Sequence, residues 1–387
     1  MKVLYFSYGK GPEDKRAWSG TVYKVYKALL ATGADVDFLT CSSVQFPFLV
    51  RLINGLLFRL RKKAQFNYHF LPNFTRLYRQ NLCRFLRNKP LEGYDFFFLL
   101  DTEIMSALIQ VMKEKGIDTK MILLADTPYI GMEGYYPEYT NVLSFNSRYA
   151  HHLSREVWNA CYKGILSSQW AKDNAVNGYG INPNKLHVIE FGANIDTPIC
   201  GTRTISFKDK TSYNILLSGV DWVRKGGEVA VECCKQLVRI GGGKFTLHIV
   251  GMPVPEQYKA LPFIKEYGFL NKNIPEQYAK YLAILEQMDI FLFPSRAECS
   301  ATVLCEAAGL GLPTFCYETG GLANYVVNGK NGERLPLSAT GADFAEAIMN
   351  AIENDKLDDY SRGAKEMYNT RLNWNTWTQR VKNEILV

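Results

Sequence analysis

The hydrophobic positions of this chain fall into short continuous runs separated by amphipathic stretches. Val3–Phe6 is an apolar run, followed by a loop with Gly9, Gly11, Ser19 and Gly20. Thr21–Ala31 then places Val22, Val25, Tyr26 and Leu29 on one helical face, and Gly33 ends it. Val36–Leu39 follows as a second strand. Strand, glycine loop, helix and strand make one βαβ unit of a parallel sheet. Phe96–Leu100 and Met121–Leu124 read as strands buried on both faces. Ile165–Ser167 and Leu186–Ile189 continue the series around a helix over Gln169–Tyr179. Residues 199–212 are polar and irregular and read as a linker. A second series begins beyond them, with strands at Tyr213–Ser218, Phe245–Val250, Ile290–Phe293 and Thr314–Tyr317 and a helix over Glu228–Ile240. The pattern predicts an α/β chain of two Rossmann-like domains with a hinge near residue 200.

Composition narrows the class. The nine cysteines are odd in number and form no C-x-x-C, as expected of small buried hydrophobes in a reducing compartment. No apolar run approaches the ~18 residues of a spanning helix, and the start has no cleavage site; the expected location is cytoplasmic. Charge is concentrated. From Phe38 to Leu91 there is no Asp or Glu and there are ten Lys and Arg, whereas the whole chain is +7, so the remainder sums to 7 − 10 = −3. Within the window, Phe46–Lys63 mixes large apolar residues with cations. Such a helix suits an anionic membrane surface, which makes residues 46–89 a candidate peripheral contact at the inner face. A core-facing helix with a solvated basic side, or a patch that steers an acidic acceptor, explains the same pattern. No recognised motif supports nucleic-acid binding.

The chemistry concentrates in Pro294–Ala307, where a buried strand turns into a helix. Glu298 lies in the turn and Glu306 lies more than one turn into the helix. Between them the N–H groups of Ala301, Thr302 and Val303 face outward at a helix N-terminus, a favourable place for phosphate. One carboxylate on each side of an anion site matches a nucleotide sugar, which presents hydroxyls, phosphates and hydroxyls in that order. Asp35-Val36-Asp37 spells D-x-D, but it opens a strand after Gly33 and reads as structural. His151-His152 has no partner at ligand spacing.

With this E-x7-E turn the sequence resembles glycosyltransferase family 4. Further resemblance is carried by Ser218–Gly227 with Lys225-Gly226-Gly227, by Thr319-Gly320-Gly321, and by Asn328–Gly332. In the first half it is carried by Trp18–Thr21 and Phe191–Asp196. The resemblance is dense over about residues 160–350. It implies a GT-B fold with two domains facing a central cleft: 1–198 binding acceptor, 199–370 binding donor, and a helix over 371–387 crossing back. It implies a retaining transferase without a metal or other cofactor, acting on a nucleotide sugar and a saccharide or lipid-linked acceptor. By position, Glu298 would meet donor-sugar hydroxyls and developing positive charge. Glu306 would accept from ribose hydroxyls, and Lys225 with Arg224 would neutralise the leaving diphosphate. Gly20, Gly219, Gly251, Leu270, Ser300, Ala301, Thr302 and Val303 would complete the donor site. Two departures stand out. Val220 occupies the place of a usual Arg, and Ala125-Asp126-Thr127 stands where a His is usual, so Asp126 becomes the candidate there. A non-catalytic nucleotide-sugar binder and a GT-B epimerase are the competing expectations.

Overall fold

The computed structural model describes residues 1–46, 48–61, 69–197, 200–241 and 244–387. Lys62 and Lys63 of the basic segment, and the expected boundary at Pro198, lie outside the described residues. The chain forms two compact units, one of Met1–Ala17, Val22–Ile189 and Thr378–Val387, the other of Trp18–Thr21 and Glu190–Trp377.

The first unit holds β1 (Lys2–Ser7), α1 (Thr21–Ala31), β2 (Asp35–Thr40), α2 (Phe48–Arg61), α3 (Arg76–Arg87) and β3 (Phe96–Leu99). It continues with α4 (Thr102–Lys115), β4 (Lys120–Ala125), α5 (Tyr129–Met132), α6 (Ser144–Ala160), β5 (Lys163–Leu166), α7 (Gln169–Tyr179) and β6 (Leu186–Val188). Its six strands are parallel in the order β2-β1-β3-β4-β5-β6. The central strand β3 reads Phe-Phe-Phe-Leu and is buried at every position. That is why it carries no alternation: helices cover both faces of a parallel sheet. α4 begins at Asp101, whose side chain accepts from the N–H groups of Glu103 and Ile104, and ends at Gly116 with φ +68.

The basic segment divides into two different helices. α3 buries Tyr78, Leu82, Cys83 and Leu86 and exposes Arg76, Arg84 and Arg87, while half-buried Arg79 donates to the Ser106 carbonyl at 3.3 Å. α2 is apolar on two sides: Val50 is buried, whereas Phe48, Leu49, Leu52 and Leu56 are exposed beside exposed Arg51 and Arg59. Among the described residues no helix is long and apolar enough to cross a membrane.

The second unit holds β7 (Tyr213–Ser218), α8 (Gly227–Gly241), β8 (Phe245–Val250), α9 (Glu256–Lys259), β9 (Ile264–Gly268), α10 (Pro275–Leu285), β10 (Ile290–Phe293), α11 (Thr302–Gly309), β11 (Thr314–Tyr317), β12 (Gly332–Leu335), α12 (Gly341–Glu353) and α13 (Leu357–Thr370); α14 (Trp374–Arg380) starts in this unit, and its residues from Thr378 on belong to the first. Its strands are also all parallel, in the order β12-β11-β10-β7-β8-β9. The order reverses direction at β7 and β10, and the crevice outside the carboxyl ends of strands at such a point is where α/β sheets bind ligands. The polar stretch expected to be a linker packs on this unit: Arg203 donates to the Met288 carbonyl at 2.7 Å, and Phe207 is buried. α14 runs on into a single π-helical turn, Val381–Ile385.

Candidate active site

The site is built on three strand ends of the second unit. After β7 the chain turns at Gly219, and Asp221 organises the turn. Its carboxylate accepts from the N–H of Arg224 at 3.0 Å and its carbonyl from the N–H of Lys225 at 2.9 Å. Gly226 has φ +71 and sits against the Pro294 carbonyl, where a Cβ would come within 2.1 Å. Only glycine allows that approach. It brings the 224–226 turn onto the end of β10, where Ser295 donates to the Arg224 carbonyl at 3.2 Å and Arg296 donates through its N–H at 2.9 Å.

The two turns meet at Glu298. This carboxylate is buried, and its Oε1 accepts from Arg224 Nη1 at 2.8 Å, from Ser295 Oγ at 2.7 Å and from Lys225 Nζ. Arg224 also donates to the Ala297 carbonyl at 3.1 Å. Lys225 lies over the ring of Phe293, 4.7 Å from its centroid, and its stem runs across Gly219. Burial pushes its pKa below the lysine value of 10.5, although Glu298 beside it acts the other way. The sequence places Val220 where an arginine was expected; Val220 is exposed, and the guanidinium in contact with Glu298 comes from Arg224.

Beyond Glu298 the chain reaches α11 through Cys299, Ser300 and Ala301. Ala301 caps the helix without a side-chain acceptor, and the first turn has no acidic residue. The positive end of the helix is therefore not neutralised by its own side chains. Glu306, the fifth residue of α11, is buried as well. Its Oε1 accepts from Lys272 Nζ at 2.8 Å and its Oε2 from the Tyr281 hydroxyl at 2.7 Å. Burial, and then the charge of Glu306, drive the Tyr281 phenol well above its ordinary pKa. Lys272 and Tyr281 escaped sequence reasoning. They follow β9, an edge strand whose Lys265 and Glu266 are exposed and break the apolar run that marks the other strands. Three cations, Arg224, Lys225 and Lys272, pair with two buried carboxylates, Glu298 and Glu306. The group carries one excess positive charge and suits an anion.

The remaining expected donor residues lie at neighbouring strand ends. Gly251 follows β8 with φ +97, and a Cβ there would meet the Gly219 carbonyl at 2.3 Å. Leu270 is half-buried between β9 and Lys272. Gly20, φ +94, belongs to the short segment Trp18–Thr21 that groups with this unit. There Asn194 donates from Nδ2 to the Ser19 carbonyl at 3.0 Å and to Thr21 Oγ1 at 3.1 Å. Trp18 and Ser19 also have positive φ, 48 and 56, a costly backbone for residues with side chains. Asp126 belongs to the first unit, at the end of β4, where its carbonyl accepts from Ser167 Oγ at 3.2 Å. The D-x-D pair is used structurally: Asp37 accepts from the Tyr94 hydroxyl at 2.8 Å and pairs with Lys2 at 3.2 Å. His151 is tied into the first unit, 2.7 Å from Glu133 and 2.9 Å from the Tyr179 hydroxyl.

Residues 202–367 match the family described as "Glycosyl transferases group 1". The chain is similar in structure to sucrose-phosphate synthase from Thermosynechococcus elongatus (TM-score 0.66, 13% identity, 98% of this chain and 97% of that one). It is also similar to Anabaena Alr3699/HepE in complex with UDP-glucose (TM-score 0.60, 15% identity, 98% of each chain). A third similar structure is the apo form of WaaB, a lipopolysaccharide outer core galactosyltransferase (TM-score 0.62, 13% identity, 99% of this chain and 98% of that one). No curated protein matches the chain by sequence. The chain has the GT-B fold, and its residues 202–367 match the group 1 glycosyl transferases.

Proposed function

We propose that this protein transfers a sugar from a nucleoside diphosphate sugar to a saccharide or lipid-linked acceptor, with retention at the anomeric carbon and without a metal. The observation that carries the reading is the Glu298 cluster: one buried carboxylate held by Arg224, Lys225 and Ser295 beside an uncapped helix N-terminus. As the bond from the anomeric carbon to the phosphate oxygen breaks, its electron pair stays with the diphosphate and positive charge develops on the sugar. Lys225, Arg224 and the N–H groups at Thr302 and Val303 stabilise the first, and Glu298 faces the second. Fixed groups of this kind lower a barrier because they need no rearrangement when charge appears. The acceptor oxygen then bonds to the anomeric carbon, and its proton passes to the departing phosphate oxygen. The similarity to a UDP-glucose complex and to a lipopolysaccharide galactosyltransferase supports a nucleotide donor and a saccharide acceptor.

The same reading places the protein at the cytoplasmic face of an anionic membrane through α2. Phe48, Leu49, Leu52 and Leu56 cover about 100° of one helix side at ~100° per residue, with Arg51 and Arg59 beside them. Apolar insertion plus cation attraction is the pairing that holds a helix in a bilayer interface.

The test is a melting series with UDP, GDP, ADP and their common sugar conjugates, followed by donor turnover with the one that binds. A ligand at about 100 times its Kd stabilises the fold by ~2.7 kcal/mol. One nucleotide family should raise the melting temperature, Glu306→Ala should lose most of that response, and donor should be consumed. Binding without turnover would make the protein a non-catalytic nucleotide-sugar binder. Interconversion of the sugar without acceptor would make it an epimerase.

A further inference from the structure

Both oxygens of the Glu306 carboxylate are already engaged, by an ammonium on one side and a phenol on the other. The carboxylate is only 3% exposed. Lys272 is the cation that holds one of its oxygens. Its ammonium lies 2.8 Å from Oε1 and 4.8 Å from the centre of the Tyr281 ring. Its loop is fastened. The Asn271 N–H donates to Gln277 Oε1 at 2.8 Å, and Asn271 Oδ1 accepts from the Asn273 N–H at 3.0 Å. The Ile274 N–H closes the turn on the Asn271 carbonyl at 3.0 Å. A short, braced loop thus sets the position of one cation against one buried carboxylate.

We propose that Lys272 is a positioning residue that makes the donor site selective for ribose over 2′-deoxyribose, by fixing the Glu306 carboxylate in the orientation in which its remaining lone pairs take both hydroxyls of a vicinal diol. This rests on the reading that Glu306 meets the ribose of a nucleotide. A site built to accept from a hydroxyl rejects the analogue lacking it, because its buried acceptor is then left unpaired. Replacing Lys272 should cost the discrimination more than it costs the contribution of the diphosphate, which falls to Arg224, Lys225 and the helix end.

The experiment is calorimetric titration of wild type, Lys272→Met and Lys272→Arg with UDP, GDP and ADP and with their 2′-deoxy counterparts, after a melting curve for each variant. Wild type should prefer the ribonucleotide of its accepted base by about ten-fold or more. Lys272→Met should bind both forms with nearly equal affinity, and Lys272→Arg should recover part of the preference. An unchanged ribose preference in Lys272→Met would overturn the inference. An equal weakening of both forms would do the same, since it would make Lys272 a phosphate ligand. Should Lys272→Met fail to fold, Tyr281→Phe removes the other donor to Glu306 without a change of charge. It must then lower the ribose preference, or the inference fails. If wild type binds none of the nucleotides, the proposed function itself falls, a result distinct from binding without ribose preference.

Discussion

Replacing Glu298 by Gln should move stability, nucleotide binding and turnover in a pattern that only this site geometry produces. The carboxylate holds two cations in a nearly dry place: the side chains of Arg224, Lys225 and Glu298 are 18%, 10% and 6% exposed. Removing one partner of a buried pair leaves uncompensated charge, at a cost of about 3–5 kcal/mol. Taking the lower figure, because Arg224 keeps the Ala297 carbonyl, a unit in the 150–250-residue class should melt ~6–12 °C lower. A diphosphate replaces the lost negative charge. At an effective dielectric constant near 20, one unit charge at the ~6 Å expected across such a site is worth roughly 2–3 kcal/mol. Nucleoside diphosphate should therefore bind the variant roughly ten-fold tighter or better, and should recover more of the melting temperature than it adds to wild type. The plain nucleoside should show no gain. Turnover should fall at least ~100-fold, since the group facing the developing positive charge is gone. Melting with and without ligand, titration calorimetry and a donor-consumption assay read the three effects. Diphosphate that binds the variant no better than wild type would refute the placement of the phosphates against Arg224 and Lys225.

Other outcomes follow from the same structure. Lys225 must be protonated to stabilise a leaving phosphate, and burial lowers its pKa below 10.5. The free-enzyme rate profile, kcat/KM against pH, should therefore fall on the alkaline side at a pH below 10.5, and Lys225→Arg should shift that fall upward. Gly219→Ala should lower turnover by about ten-fold or more at little cost in stability. Its Cβ would meet Lys225 Cγ at 2.6 Å and push the flexible stem aside. Gly251→Ala should destabilise by more than about 1 kcal/mol in chemical denaturation, because its Cβ would meet rigid backbone at positive φ. Leu52→Ser with Leu56→Ser should abolish co-sedimentation with vesicles containing phosphatidylglycerol, and Arg51→Glu with Arg59→Glu should do so most clearly at low salt. Binding of the leucine variant equal to wild type would remove α2 from the interface.

What could be read in the sequence is what depends on near neighbours in the chain. The buried strands showed themselves as apolar runs, and Tyr213–Ser218, Phe245–Val250 and Thr314–Tyr317 recur in the structure with the same ends. β9 and β12 did not. Both are edge strands, charged where they meet solvent, so neither a continuous run nor a clean alternation marks them. The site divides in the same way. Glu298 and Glu306 sit on one strand-to-helix turn, where their spacing exposed them, and Arg224 and Lys225 sit on one glycine loop, where the family resemblance marked them. Lys272 and Tyr281 become partners of Glu306 only when the segment after β9 and α10 are brought against α11, and a single lysine in a loop leaves no mark of its own. Val220 suggested a lost arginine; three-dimensional geometry instead shows a guanidinium arriving from four residues later.

α2 has a consequence for the protein as a colloid. Four exposed apolar side chains lie within a stretch of chain that has no acidic residue between Phe38 and Leu91. At low ionic strength the surrounding cations keep such surfaces apart on neighbouring molecules. Added salt removes that repulsion within a Debye length of about 8–10 Å, and sulfate or phosphate further strengthens apolar association. The protein should therefore become less soluble as salt is raised, and self-association should begin at this one helix.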